Sequence, residues 1–140
     1  EREVTHVIHA GDFVAPFALV PFVDAGFRLY AVYGNNDGEI KGLRDRSEKI
    51  GGIQAEPFRF ELDGKRFVVY HHPQSKEREE TESRTADYFI YAHTHVFDHR
   101  KVGSMEVINP GELCGWVEGK STFVLLDTQS GGLEYVELGA

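Results

Sequence analysis

Four apolar runs of this chain each end in side chains that bind metals or handle protons. Val7-Ile8-His9-Ala10 leads into Gly11-Asp12, and residues 29–33 lead into Gly34-Asn35-Asn36-Asp37. Val68-Val69-Tyr70 leads into His71-His72, and Phe89-Ile90-Tyr91-Ala92 into His93-Thr94-His95. Taken singly, a Gly-Asp or an Asn-Asn-Asp-Gly after a strand is turn chemistry. A histidine pair at a strand end is as readily packed as liganded. His93-Thr94-His95 is more pointed, because alternate residues of an extended chain project to one side and both rings can approach one metal cluster. Ligands of open α/β sheets gather in the crevice at the carboxyl ends of the strands. Four such endings would therefore bring donors from distant positions to one edge, with Gly11 and Gly34 permitting tight turns off their strands.

The elements that must position these residues follow from periodicity and turn signals. Residues 4–9 read as a short strand, and residues 13–25 have helical spacing that ends before Gly26, a C-cap residue. Pro16 suits the first turn of that helix, whereas Pro21 is expected to kink or shorten it. A second strand covers 27–33 and a short amphipathic helix 41–50. Residues 58–62 and 65–70 form a hairpin about Asp63-Gly64, followed by a strand over 88–92. Runs 96–102 and 105–108 flank Gly103-Ser104, and 121–127 and 133–138 form a closing antiparallel pair. Strand and helix alternate in the first half and strands dominate the second, which points to an α/β sandwich with sheets face to face and helices outside. Residues 73–85 carry no large apolar side chain until Ala86, so a helix there would be polar all round, and composition favours a solvated, mobile segment over a lid.

A length of 140 residues fits one domain with one sizeable core, with no repeat or linker to divide it. A net charge of -8 argues against wrapping duplex nucleic acid, yet leaves room for a small phosphate ester whose charge bound cations offset. No stretch is long and apolar enough for a bilayer. Cys114 is the single cysteine, which excludes an intrachain disulfide and makes a reducing cytoplasm the simplest setting.

Gly11-Asp12, Gly34-Asn35-Asn36-Asp37, His71 and His93-Thr94-His95 together resemble the ordered motifs of calcineurin-like metallophosphoesterases, and most closely the small prokaryotic YfcE-type phosphodiesterases. Asn109-Pro110-Gly111 resembles the NPG loop of that branch, and Val124-Leu125-Leu126-Asp127 its closing strand, so the likeness runs over nearly the whole chain. The resemblance implies a four-layer αββα sandwich of two mixed sheets with flanking helices. It also implies hydrolysis of small phosphodiesters by a metal-bound hydroxide held between two divalent cations. By position, Asp12 would bridge the metals, Asn35, His71 and His93 would complete one shell, and His95 would bind the other metal. Mixed oxygen and imidazole donors suit manganese first, with iron, zinc or nickel as alternatives.

Two departures from the pattern stand out. No Asp-x-His motif precedes Asp12, so a first strand and helix of about two dozen residues is expected to be missing from this chain. The abrupt Glu1-Arg2-Glu3 opening without Met favours truncation over a true variant, and exposed apolar edges would then promote self-association. Asn36 stands where many relatives carry a proton-donating His; without it, good leaving groups such as aryl diesters are expected to be preferred. His72 is a further substrate-facing candidate. His6, His9, Cys114 and Trp116 read as packing residues, His99 as surface, and Glu112 as a pocket or turn residue. A phosphoesterase-fold scaffold for protein partners is the alternative function, and a mononuclear metal protein would apply to the truncated chain alone.

Overall fold

The computed structural model describes residues 3–139; Glu1, Arg2 and Ala140, and with them the ends of the expected 1–140 domain, lie outside. Strand β1 (His6–His9) pairs in parallel with β2 (Arg28–Val32), which pairs in parallel with β3 (Ile53–Gln54), a strand too short to read from sequence. The segment expected as one helix divides into a 3-10 turn (Pro16–Leu19) and α1 (Val20–Ala25). Each piece has a proline near its start, where a missing N–H costs no intrahelical bond. Gly26 closes α1 at φ 71°. Helix α2 (Ile40–Ser47) is capped by the Glu39 side chain, which accepts from the Gly42 N–H.

The second sheet contains β4 (Phe58–Leu62), β5 (Lys65–Val69), β6 (Tyr88–Ile90), β7 (Asp98–Val102) and β8 (Met105–Asn109), in the spatial order β4-β5-β6-β8-β7. β5, β6 and β8 run parallel, whereas the outer pairs β4–β5 and β7–β8 are hairpins. β9 (Ser121–Leu126) and β10 (Leu133–Leu138) form a separate antiparallel ribbon. Period-two alternation sorts side chains into layers. Phe67 and Val69 face a central core with Val32, Ile90 and Ile108, joined by Ile8 from β1 and Val124 and Leu126 from β9. Val68 and Tyr70 point the other way, to a second core with Phe89, Met105 and Val107. Leu29 and Ala31 pack outward on Leu19 and Leu43 beneath the helices. The result is the expected stack of helix, sheet, sheet and helix. Between the edge of β1 and β9 lies a cavity of about 750 Å³, lined by Ile8, Phe67, Ile90, Ile108 and Val124.

The polar segment 73–85 differs from the solvated chain its composition suggests. It contains α3 (Lys76–Glu82), capped by Ser75, whose hydroxyl accepts from the Arg78 N–H. Its buried face is acidic: Glu79 takes both terminal nitrogens of Arg100 at 2.8 and 2.7 Å, and Glu82 pairs with Arg59 and accepts from the Tyr70 hydroxyl at 2.8 Å. Ion pairs to other strands thus dock this helix where apolar packing is absent.

Candidate metal centre

All four strand endings meet at one edge. Two glycines permit the approach: a Cβ on Gly11 would lie 2.6 Å from His71 Nδ1, and one on Gly34 would collide with Asp12 Oδ1. Asp12, His93 and His95 all adopt positive φ, at 61°, 67° and 64°, so the backbone is strained where these side chains are aimed. The buried Asp37 carboxylate fixes the first two turns by accepting from the N–H groups of Asp12, Val14 and Gly34 at 3.0, 2.8 and 2.7 Å. Asn36 holds the Asp12 carboxylate through its backbone N–H at 2.8 Å and its side-chain amide at 2.9 Å.

Around this frame, donor atoms crowd together. His71 Nε2 lies 2.8 Å from Asn35 Oδ1, 3.3 Å from His93 Nδ1 and 3.6 Å from Asp12 Oδ2, and His93 Nδ1 lies 3.0 Å from Asn35 Oδ1. A four-coordinate cation with bonds of about 2.1 Å spaces its donors about 3.4 Å apart, so these separations are of the size one cation imposes. Protonation strengthens the match. The Ala10 carbonyl can only accept, so His71 donates to it from Nδ1 at 2.6 Å, and its Nε2 is the nitrogen turned toward the Asn35 oxygen. Burial, then the neighbouring His72 and His71 rings, push His93 below the usual histidine range and favour the neutral, ligating form.

His95 takes a different partner, donating from Nδ1 to Glu112 at 2.6 Å, which leaves its Nε2 bare. Burial opposes the Glu112 charge, yet the His95 ring and the N–H groups of Glu118 and Val117 hold its carboxyl below the usual range. His72 stands beside the knot, its ring 4.8 Å from that of His71 and 4.7 Å from that of His93. Three further residues escaped the sequence reading. Glu56 accepts from the His71 and His72 backbone and from His72 Nδ1. Asp37 braces the Asp12 turn. Fully buried Asn109 donates to the Ala92 carbonyl and Thr94 hydroxyl at 3.3 and 2.9 Å, fastening the NPG loop to the His93–His95 turn. Asp37 and Asn109 lie within motifs quoted from the sequence but were given no role there, whereas Glu56 lies in none. Three packing assignments fail: His6 and Cys114 are exposed, and Trp116 is 87% exposed on a glycine-bounded loop. His9 does pack, stacked on Phe13 at 3.8 Å with its Nδ1 accepting from the Gly11 N–H.

Sandwiched sheets with donors converging at strand ends define the phosphoesterase class of fold, and the chain belongs to the calcineurin-like phosphoesterase superfamily domain, which it matches over residues 1–131. Among its relatives is the phosphodiesterase MJ0936 of Methanocaldococcus jannaschii, 37% identical over 141 residues that cover 99% of this chain and 84% of the relative. The solved structure of a novel archaeal phosphodiesterase superposes with a TM-score of 0.87 at 36% identity, covering 96% of this chain and 84% of the other. A single mutant of Vps29 from Entamoeba histolytica shares the fold at 17% identity and a TM-score of 0.70, over 99% and 84% of the two chains.

Proposed function

We propose that this chain is the single domain of a divalent-metal-dependent phosphodiesterase that hydrolyses small phosphodiesters. One observation carries the reading: the donor atoms of Asn35, His71 and His93 lie within 3.3 Å of one another, and Asp12 Oδ2 lies 3.6 Å from His71 Nε2, separations of the size that donors sharing one cation adopt. In this account these four residues hold one metal, with Asp12 bridging to a second held by His95. Manganese suits the oxygen-and-imidazole set, and iron, zinc or nickel also fit. Bound there, two cations would neutralise the phosphate, lower the pKa of the attacking water to form hydroxide and stabilise in-line displacement.

The protein's own groups do the positioning. Hydrogen bonds to Ala10 and Glu112 keep the bare nitrogens of His71 and His95 turned away from those partners. Asn36 spends its amide on Asp12 and supplies no proton, so the leaving group departs unassisted and aryl diesters turn over best. His72 borders the same space and faces the substrate. The single cysteine fits a cytoplasmic enzyme, and the edge of β1, without a strand partner among the described residues, fits self-association. The test is hydrolysis of an aryl phosphodiester by the full-length protein with added Mn²⁺. Turnover abolished by chelation and by His93→Ala is expected. A folded, metal-loaded protein without turnover would favour the scaffold reading.

A further inference from the structure

Glu56 lies in the loop between β3 and β4, outside every motif of the family pattern. Its Oε2 accepts from the backbone N–H groups of both His71 and His72, and its Oε1 takes the Nδ1 proton of His72 at 2.6 Å. The carboxylate therefore ties down the end of β5 and sets the tautomer of the His72 ring. With Nδ1 committed, Nε2 is the nitrogen with a free lone pair. His71, His72 and His93 each offer one donor atom, and these atoms lie within 4.8 Å of one another.

We propose that His72 is an additional ligand of the cation held by His71 and His93, with Glu56 as its positioning residue. The arrangement is a carboxylate–histidine–metal relay, in which the carboxylate fixes ring orientation and raises ligand basicity. Opposite donors of a cation with bonds of about 2.1 Å lie about 4.2 Å apart and neighbouring donors closer still, so closing the triad takes movement of one ring. His71 is 1% exposed and locked to Ala10, whereas the His72 side chain is 43% exposed, so His72 is the ring with room to move. The inference deepens the metal-site reading above, but its test does not require turnover.

The experiment follows ¹⁵N signals of the histidine rings in the metal-free protein and during titration with Zn²⁺ alone. In the metal-free protein, His72 is expected as the Nδ1–H tautomer. On the first equivalent of Zn²⁺, its Nε2 signal moves together with the ligating nitrogens of His71 and His93. Glu56→Gln keeps a carbonyl for the backbone N–H groups but turns an N–H toward Nδ1, so it reverses the tautomer. That variant and His72→Gln should each weaken Zn²⁺ binding by about 10–100-fold, and the double variant no further. A His99→Gln control should bind like the parent. A His72 signal that stays still while those of His71 and His93 move, or single-variant effects that multiply in the double variant, would overturn the proposal. Zn²⁺ binding through His72 in a protein that hydrolyses no diester would instead sustain this inference and defeat the enzymatic reading.

Discussion

Asn36 shows how much of the site hangs on single side chains. Its amide donates to Asp12 Oδ2 and its backbone N–H to Oδ1, so it orients the Asp12 carboxylate, and an amide has no readily transferred proton to offer a leaving alcohol. Replacing Asn36 with His should favour poor leaving groups. Turnover of an alkyl phosphodiester is expected to rise by about 10²-fold relative to an aryl diester, the lower end of what a general acid contributes. Comparing kcat for the two esters checks it. Asp12, Asn35, His71 and His93 lie close together, and each was legible because it follows an apolar run, a signal that reads locally. The location of Glu56 and the bracing role of Asp37, itself within a quoted motif, were illegible for the opposite reason. Their importance lies in accepting backbone N–H groups from other turns, and nothing in the local composition reports that.

At the scale of elements, the hairpins were the most legible. Asp63 and Gly64 both take positive φ, at 51° and 72°, as a tight two-residue turn demands. The least legible element was α3. Its helix is held by Glu79 and Glu82, whose partners Arg100, Arg59 and Tyr70 come from distant strands, so no window of sequence contains both halves of the interaction. Removing Glu79 takes away a two-point charged hydrogen bond and leaves Arg100 partly exposed and still paired with Asp98. Glu79→Ala should cost about 2 kcal/mol in urea unfolding, given that the Arg100 side chain is partly exposed. It should also speed amide exchange across residues 76–82 while Mn²⁺ affinity stays the same. Loss of metal binding in this variant would show that α3 supports the site after all.

Across the whole molecule, layer order was readable because alternation along β2 and β5 sends successive side chains to opposite cores. Among the described residues the ribbon β9–β10 pairs with neither of the other two sheets, which local pattern alone did not report. Stability should respond to pH through His9. Burial pushes its pKa from 6.5 down to about 4 against the pull of Asp37 and Asp12. Between those values the unfolded chain binds more protons than the folded one, so stability is full above about pH 6.5 and falls as pH drops toward 4. The loss is at most about 3 kcal/mol. Urea unfolding of metal-free protein at pH 7.5 and pH 5 should show it, and His9→Gln should flatten that component.

The central claim is that one carboxylate, one amide oxygen and two imidazoles share a cation. Crystals of the full-length protein grown with Mn²⁺, measured at a wavelength where manganese scatters anomalously, test it directly. The account predicts an anomalous peak about 2.2 Å from Asp12 Oδ2, Asn35 Oδ1, His71 Nε2 and His93 Nδ1. A manganese peak elsewhere on the molecule, with those four atoms left uncoordinated, would contradict it.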